Sequence, residues 1–286
     1  MRSFPGATAD RDVARYAVVG APLDASTSFR PGARFGPDRI RELARGFEDY
    51  DRPTGTQFSH LGVHDTGDLR PWDDVAAYLD LLADDLAALA DDGVVPLLVG
   101  GEHTVTLAGV RAVAPEVVVI ADAHLDLRAS FDGNPLSHAT VTRRALAVAD
   151  RAIVLGARAG SEAEWERAGA DDVTAVPPAA VSDWDPPDAR CYLSVDIDAA
   201  DPGVAPGTGT PEPFGLASRT LRDVVRATAP LSVGFDVVEV NDRDDGQAAV
   251  LAAKLLRAFV HAHADAEGAP DPAVDEAPLP LDVDAV

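Results

Sequence analysis

The segment VVVIADAHLDLR, residues 117–128, decides the fold because a continuous apolar run leads directly into a group of residues that can bind metal. Such a run is typical of a parallel strand that is buried on both faces. Asp122, His124 and Asp126 follow at every second position, so on an extended segment their side chains point the same way. Ligand sites of open parallel sheets lie at the carboxyl ends of the strands. The segment therefore predicts a strand that ends in a polar site.

Two further segments repeat this arrangement. VPLLVGGEHTVTL, residues 95–107, leaves an apolar run through two glycines and places His103 where a helix begins. CYLSVDIDAADP, residues 191–202, ends a third run with Asp196 and Asp198. A single histidine or D-x-D pair is commonly a loop residue or a surface turn. Together, the carboxylates and imidazoles at three strand ends indicate a metal site, because burying so much negative charge without cations costs many kcal/mol.

Apolar runs alternate with amphipathic stretches along the rest of the chain. The continuous runs predict strands over residues 16–20, 94–99, 117–122, 152–156, 191–198 and 231–240. Amphipathic patterns predict helices over residues 74–91 and 246–263, and Ser218 is expected to cap the start of another that runs to about residue 228. A capping box formed by Ser161 and Glu164 opens a further short helix. This alternation is typical of one α/β domain with a parallel sheet.

The charge of the chain excludes two classes of partner. There are 48 acidic and 24 basic residues, which give a formal net charge of −24, and Lys254 is the only lysine among the 286 residues. Nucleic acid and anionic membranes are poor partners for such a surface. Molar salt, which screens charges over a few ångströms, makes a dense acidic surface tolerable. The composition therefore resembles that of proteins from salt-loving archaea.

Targeting and redox signals point to the cytoplasm. No apolar run approaches the roughly 18 residues that a membrane span needs, and the first residues show no secretory pattern. The single cysteine, Cys191, excludes an internal disulfide and a cysteine-rich zinc site, and we expect it to be a buried core thiol. We therefore predict a cytoplasmic protein.

Two parts of the chain lie outside the motifs. From residue 264 the composition changes to Asp, Glu, Pro, Ala and Gly, so we predict a single domain over residues 1–263 and a disordered acidic tail over 264–286. Four histidines match no motif, and we expect them at the surface: His60, His64, His261 and His263.

The motifs resemble those of the ureohydrolase family, which includes arginase, agmatinase and formiminoglutamase. GGEHT, DAHLD and SVDIDAADPGVAPGTGTPEPFGL are similar to its three metal motifs in order and spacing, and the last is closest to agmatinases. DVVEVN is similar to the segment that supplies the family's substrate-binding glutamate, and the resemblance covers residues 18–260. It implies a three-layer α/β/α fold with a mostly parallel central sheet, arginase-like, and a homo-oligomer, either a trimer or a hexamer.

The resemblance also implies a binuclear manganese site with two Mn²⁺ per subunit. Oxygen and nitrogen ligands without thiolate suit Mn²⁺, and the charge of four carboxylates is balanced by two divalent ions. One ion would be held by His103, Asp122, Asp126 and Asp196. The other would be held by Asp122, His124, Asp196 and Asp198. A water shared by the two ions would be deprotonated near neutral pH and would attack a planar guanidinium carbon.

Three residues receive catalytic roles by the same resemblance. His138, in GNPLSHATVTRRA, would pass a proton to the leaving amine, although Ala139 stands where the family usually has glycine. Glu239, at the end of the strand in DVVEVN, would pair with the substrate guanidinium. Asp126 is placed among the catalytic residues as well as among the ligands.

The predicted substrate is a small cationic guanidino compound, most closely agmatine, which would give putrescine and urea. Arg128 stands where arginases place a small polar residue, and the acidic loop 242–245 favours a cationic substrate. Formiminoglutamate or another guanidino acid is the alternative, because Arg128, Arg243 or Arg30 could hold its carboxylates. A binuclear phosphoesterase and a non-catalytic acidic assembly protein that keeps the fold are more remote alternatives.

Overall fold

The computed structural model describes residues 3–268, and its centre is an eight-stranded sheet in which every strand pair is parallel. The strands are β1 (Tyr16–Ala21), β4 (Val63–Asp68), β5 (Val95–Gly100), β6 (Val117–Ala121), β7 (Arg151–Leu155), β8 (Val173–Val176), β9 (Cys191–Asp196) and β10 (Ser232–Val238). Their order across the sheet is β4-β1-β5-β10-β9-β6-β7-β8. A small antiparallel pair, β2 (Tyr50–Asp51) and β3 (Thr56–Gln57), lies apart.

Helices cover both faces of this sheet. They are α1 (Gly36–Leu43), α2 (Val75–Asp91), α3 (Thr106–Val113), α4 (Val141–Ala145), α5 (Glu162–Ala168), α6 (Ser218–Thr228) and α7 (Gln247–Ala266). One face packs against α1, α6 and α7 through strand residues such as Leu97 and Val237, and the other packs against α2, α3 and α4 through residues such as Leu98 and Ile120. Alternate strand residues therefore enter opposite cores, as expected for a strand buried on both sides. The predicted three-layer α/β/α fold is confirmed.

The two strands of the eight-stranded sheet that the sequence did not predict lie at its edges. β4 reads VHDTGD and is only partly buried, and β8 has four residues. An edge strand pairs on one side only, so it does not need a continuous apolar run. In β4, Asp65 accepts from the Nε of the fully buried Arg41 in α1 at 2.8 Å. This ion pair fixes a polar strand that hydropathy alone does not reveal.

The predicted helix signals hold with one exception. Ser161 and Glu164 form the expected capping box of α5. Helix α6 begins at Ser218, but the residue before it, Ala217, occupies the cap position and Ser218 makes no capping bond. Helix α7 continues to Ala266, three residues beyond the predicted end of the domain at 263. The rest of the predicted tail, residues 269–286, lies outside the described residues.

Two of the four histidines expected at the surface are buried, so that expectation was wrong for them. His261 and His263 lie in α7 with 2% and 6% of their surface exposed. Nδ1 of His261 lies 2.8 Å from Thr56 Oγ1, and Nδ1 of His263 lies 2.9 Å from the Tyr16 hydroxyl. Each ring is accommodated because a neutral imidazole can share a hydrogen bond with a hydroxyl. Cys191 is buried as expected, and burial raises the pKa of its thiol to about 11.

Within residues 3–268, none of the helices has both the length and the apolar character needed to cross a bilayer.

Candidate active site

The candidate site lies where four neighbouring strands end. β5, β10, β9 and β6 are adjacent at the centre of the sheet, and all of them run in the same direction. Every residue that the motifs single out follows one of these strands, except His138. Their carboxyl ends therefore meet at one edge, which is where a parallel sheet forms its ligand site.

A first cluster surrounds the imidazole of His103. Its Nδ1 lies 3.0 Å from Asp126 Oδ2, 3.2 Å from Asp122 Oδ2 and 3.6 Å from Asp196 Oδ2. His103 is 1% exposed, and these three carboxylates are buried. Burial alone would lower the pKa of His103, but Asp122 and Asp126 raise it well above its usual value. His103, Asp122 and Asp196 are close enough to share one ion.

A second cluster shares Asp122 with the first. Nδ1 of His124 lies 2.9 Å from Asp198 Oδ2 and 3.5 Å from Asp122 Oδ1. Burial alone would lower the pKa of His124, but the neighbouring carboxylates, Asp198 first, raise it to about 12. Asp122, His124 and Asp198 could also hold an ion. Of the two clusters, only the first includes Asp196. Its predicted role as a second ligand shared by both ions therefore stays a prediction.

Negative charge in the two clusters exceeds what the protein neutralises by itself. Burial and neighbouring carboxylates raise the pKa of Asp196 well above its usual value and that of Asp126 to about 6. Asp122 Oδ2 is buried and receives no hydrogen bond of acceptable geometry from a described residue. Burying an acceptor without a hydrogen-bond donor costs free energy unless a cation contacts it. The donor set, two imidazoles with buried carboxylates, fits hard or intermediate divalent cations.

Three buried side chains orient His103, and the sequence motifs did not point to them as a group. The second ring nitrogen, Nε2, lies 3.3 Å from Ser194 Oγ. Ser194 donates to Asp236 Oδ1 at 2.5 Å, and the Tyr192 hydroxyl donates to Asp236 Oδ2 at 2.8 Å. A metal-binding histidine is commonly fixed by such a bond at its other nitrogen. The network thus directs Nδ1 toward the carboxylates.

The N-terminal loop is tied to the site by Glu102, whose role was not predicted. Its carboxylate is fully buried and accepts from the backbone N–H groups of Ala25 and Ser26, both at 2.6 Å, and from Ser26 Oγ at 2.8 Å. The loop can approach only because Gly101 has no side chain, since a Cβ there would lie 1.8 Å from the Leu23 carbonyl oxygen. Glu102 therefore fixes a loop whose serines reach the candidate catalytic histidine.

His138 is held by that loop. Its backbone N–H donates to Ser26 Oγ at 2.9 Å, and its Nε2 lies 3.1 Å from Ser28 Oγ. Nδ1 lies 3.9 Å from Glu239 Oε1. Burial, together with the positive charge of His103, lowers the pKa of His138 to about 4, so the ring is neutral near pH 7. A neutral imidazole at the wall of the site can accept a proton.

Two of the predicted catalytic residues have unusual backbone conformations. Asp126 has φ of 50° and Glu239 has φ of 60°, both in the left-handed region, which aspartate adopts more readily than most residues and glutamate adopts rarely. Glu239 follows β10, and its Oε1 accepts from the His103 backbone N–H at 2.8 Å. Burial raises the pKa of Glu239 to about 8. Such strain is kept where the fold requires a particular side-chain direction.

A pocket of about 330 Å³ opens beside the clusters. Its lining includes Asp126, Asp196, His124, His138, Glu164, Glu212 and Arg128. Arg128 Nε lies 3.2 Å from the buried Glu164. Neither Arg30 nor Arg243 lines this pocket, and Arg243 donates to the Pro31 carbonyl instead. Carboxylates therefore outnumber arginine in the lining of the pocket, and its one arginine already has a carboxylate partner.

The loop 242–245 does not border the pocket, contrary to expectation. Asp242 pairs with Arg39 at 3.0 Å, and Asp244 accepts from the backbone N–H groups of Gly246 and Ala248 at the start of α7. These acidic residues stabilise a turn and a helix terminus. They give no support to a cationic substrate.

The fold and the paired clusters define a protein of the α/β/α class with a candidate metal site at the carboxyl edge of its sheet. A sequence model described as the arginase family matches residues 14–262, and the chain belongs to that family. The match spans all four strands that carry the site.

Several similar proteins are named for agmatine or a derivative of it. The chain is 35% identical to the N(1)-aminopropylagmatine ureohydrolase of Thermococcus kodakarensis over 85% of this chain and 88% of the relative. It is 36% identical to the agmatinase of Bacillus anthracis over 84% of this chain and 89% of the relative. The crystal structure of the agmatine ureohydrolase of Thermoplasma volcanium superposes with a TM-score of 0.88 and 34% identity, over 94% of this chain and 96% of that one.

Proposed function

We propose that this protein hydrolyses agmatine to putrescine and urea and that it uses two Mn²⁺ ions. The observation that carries the proposal is the pair of buried clusters that share Asp122, beside a pocket with an acidic lining. Relatives named for agmatine and aminopropylagmatine support this class of substrate. The reaction breaks the bond between the guanidinium carbon and the substituted nitrogen, forms a carbon–oxygen bond with water, and moves a proton to the leaving amine.

The residues present fit two divalent ions. We assign His103, Asp122, Asp126 and Asp196 to one ion, and Asp122, His124, Asp196 and Asp198 to the other. Bound there, the ions would neutralise the carboxylates and activate water for attack on the guanidinium carbon. Asp122 would contact both ions, which gives its buried, unsatisfied Oδ2 a partner.

The protein groups around the clusters perform the remaining steps. Glu239 is buried and accepts a bond from the His103 backbone, so one carboxylate oxygen is fixed while the other can pair with the substrate guanidinium. His138, 3.9 Å from Glu239, takes up a proton and passes it to the leaving amine. The Glu102–Ser26 contact sets the position of His138 by fixing its backbone.

Glu212 is the group that we assign to the distal ammonium of the substrate. Its Oε1 lies 4.0 Å from His124 Nε2, and 43% of its side chain is exposed at the rim of the pocket. A carboxylate there can receive the second positive charge of agmatine. Arg128 does not oppose this charge strongly, because Glu164 is paired with it.

A guanidino acid is the second candidate, and Arg128 is the observation that favours it. The side chain of Arg128 is 39% exposed and lines the pocket, so it could turn toward a substrate carboxylate. Guanidinobutyrate and formiminoglutamate carry such a group. In that case Glu212 would repel the substrate.

Urea or formamide release with a panel of substrates decides between these candidates. The purified protein, loaded with Mn²⁺ at molar KCl, is given agmatine, N(1)-aminopropylagmatine, guanidinobutyrate, formiminoglutamate and arginine. We expect kcat/KM for agmatine to exceed that of the two acids and arginine by at least about tenfold, or about 1.4 kcal/mol. Release from none of these compounds would reject the ureohydrolase function.

Matched variants test the substrate contact itself. We expect Glu212→Gln to raise KM for agmatine and to leave KM for guanidinobutyrate unchanged or lower. Arg128→Gln is the control, since it alters the same pocket and should not weaken agmatine binding. If Arg128→Gln raises KM for agmatine and Glu212→Gln does not, the assignment of Glu212 is wrong.

The homo-oligomer, the cytoplasmic location and the adaptation to salt stay predictions.

A further inference from the structure

A second feature of the molecule is a groove between α6 and α7 in which positive charge is concentrated. It encloses about 610 Å³ and lies on the face of the sheet that packs α1, α6 and α7. Five of the 24 lysine and arginine residues line it, and we call it the cationic groove: Arg219, Arg222, Arg226, Lys254 and Arg257. Two carboxylates, Glu48 and Asp51, are also in its lining.

The positive charge of the cationic groove is only partly compensated. Arg226 pairs with Asp51 at 2.8 Å, and Arg222 pairs with Asp223 at 2.6 Å. Arg257 donates to the backbone carbonyls of Glu48 and Asp49, which carry no net charge. Within residues 3–268, Lys254 and Arg219 form no salt bridge. The lining thus has an excess of cations on a chain whose net charge is −24.

Lys254 is held by an aromatic ring instead of a carboxylate. Its Nζ lies 3.9 Å from the centroid of Phe47, and the Arg257 guanidinium lies 6.0 Å from the same centroid. These contacts orient the cations without neutralising them. The groove is therefore ready to bind acidic groups.

Apolar side chains lie between the cations. Tyr50 is 57% exposed and Val250 is 38% exposed, although both line a concave surface. Leu251 and Val204 add to this lining. A small inorganic anion would leave these side chains uncovered, so the lining suits a segment that is both acidic and apolar.

We propose that the C-terminal segment of the same chain, residues 269–286, binds in the cationic groove. The segment contains five carboxylates and no lysine or arginine: Asp271, Asp275, Glu276, Asp282 and Asp284. In PLPLDVDAV, residues 278–286, apolar residues alternate with the last two of these acids. Its chemistry matches both the charge and the apolar lining of the groove.

The segment starts close enough to reach the groove. Helix α7 ends at Ala266, and the 12 residues back to Lys254 correspond to about 18 Å of helix. The 18 residues from 269 to 286 can span about 60 Å when extended. Because the segment is attached to the chain, binding within one molecule has an effective concentration in the millimolar range. Even weak contacts would therefore hold it in place.

The only lysine of the chain provides the test. An amine-reactive ester acylates Lys254 and the α-amino group of Met1, and peptide mass spectrometry separates the two. In a full-length variant with the segment neutralised (D271N, D275N, E276Q, D282N, D284N), we expect Lys254 acylation to be at least about threefold faster. That factor corresponds to about two thirds occupancy of the groove in the parent protein. The rate at Met1 should not change.

A charge-matched control separates binding from a general change in charge. The variant D73N, D84N, D85N, D91N, D92N also loses five carboxylates, but these are exposed residues on or beside α2, on the other face of the sheet. We expect it to leave the Lys254 rate at the parental value. Equal rates in all three proteins, or equal acceleration by both variants, would overturn the proposal.

Carbodiimide coupling tests the contact directly. We expect an amide bond between Lys254 and an acidic residue of the segment in protein that migrates as a single chain. Two outcomes would mean that a second copy covers the groove and would overturn the proposal. One is coupling only between two chains. The other is protection of Lys254 that grows with protein concentration and persists in the neutralised variant. Protection in the parent should decline as KCl is raised, since the Debye length falls from about 10 Å at 0.1 M to about 3 Å at 1 M.

Discussion

The candidate metal clusters and the cationic groove are two places where this molecule concentrates charged side chains. In the clusters the charged groups are on strand ends, with side chains that are almost wholly buried, such as Asp122 and Asp198. In the groove they are on helices, and Arg219 and Lys254 reach solvent. Buried carboxylates cannot be hydrated, whereas exposed cations can.

This difference determines how much each region depends on what binds to it. Without cations the clusters must take up protons, as the raised pKa values of Asp126 and Asp196 indicate. The groove needs no such compensation, because backbone carbonyls and Phe47 hold its cations at the border with water. We therefore expect substitutions in the clusters to affect activity by orders of magnitude, and changes elsewhere to affect stability by smaller amounts.

The largest effect is expected for Asp122→Asn. The carboxylate is shared by the two clusters, so its neutral analogue should weaken both metal positions. Activity should fall by more than the roughly 10–100-fold that follows loss of a group bonded to a metal ligand. The increase in melting temperature on adding Mn²⁺ should also shrink. Activity within a few-fold of the parent would contradict the assignment of Asp122 as the shared ligand.

His138→Asn should lower kcat by about 10²–10⁴-fold while KM changes little. The ring lies beside the clusters, and its backbone is fixed by Ser26, so the substitution removes a proton carrier without moving the metal ligands. Metal content by elemental analysis is the control. If KM rises and kcat is unchanged, His138 binds substrate and does not transfer a proton.

Ser194→Ala should reduce Mn²⁺ affinity by about 10–100-fold. The variant removes the partner of His103 Nε2 and leaves all ligands in place. Tyr192→Phe is the matched control, because it removes the other bond to Asp236 and does not touch His103. Titration with Mn²⁺ measures the affinity of both variants. Equal affinities in the parent and in Ser194→Ala would show that the network does not orient His103.

The melting temperature of the whole protein should rise as KCl is increased from about 0.1 M to about 3 M. With a net charge of −24, the acidic side chains repel one another over about 10 Å at 0.1 M salt, and molar salt removes this repulsion. Differential scanning calorimetry at constant pH provides the measurement. A melting temperature that is flat over this range would contradict adaptation to high salt.

The smallest effect is expected from His261. Burial lowers its pKa to about 4 in the folded protein, against about 6.5 in the unfolded chain. Between these values the unfolded chain binds the extra proton, so stability is lost as the pH falls from about 6.5 toward 4. The neighbouring Asp51 opposes this shift, and Arg257 and Arg226 reinforce it.

His261→Gln tests this effect. The variant keeps a polar group near Thr56 but does not titrate in this range, so its melting temperature should fall less between pH 7 and pH 5 than that of the parent, by a few degrees. The comparison is made at molar KCl, where general charge effects are screened. Parallel curves for the two proteins would show that His261 does not contribute.

The central strands and the grouping of the candidate metal ligands could be predicted because both depend on local pattern. β6 and β9 are largely apolar runs, Asp196 ends β9, and Asp122, His124 and Asp198 come directly after these strands. The edge strand β4 could not be predicted in this way, since its fold depends on the ion pair between Asp65 and Arg41, 24 residues away in the chain.

Roles that depend on distant contacts were also missed. Glu102 lies within a recognised motif, but its bonds to Ala25 and Ser26 join segments 77 and 76 residues apart. His261 and His263 are on a helix that is buried on nearly all sides, whereas an amphipathic pattern assumes a solvent face. A single sequence shows which residues can be buried; it does not show which polar residues will find a partner there.

The position of β10 has a consequence for how the molecule assembles. In the chain it is the last strand, yet in the sheet it lies between β5 and β9. Without it, β4, β1 and β5 form one half-sheet and β9, β6, β7 and β8 form another, so His103 and Asp122 belong to separate halves. On the ribosome, the two halves can join through the sheet only after about residue 238 has emerged. We therefore expect the two clusters to come together only at the end of folding, and a truncated chain that stops before β10 to be unable to bind Mn²⁺.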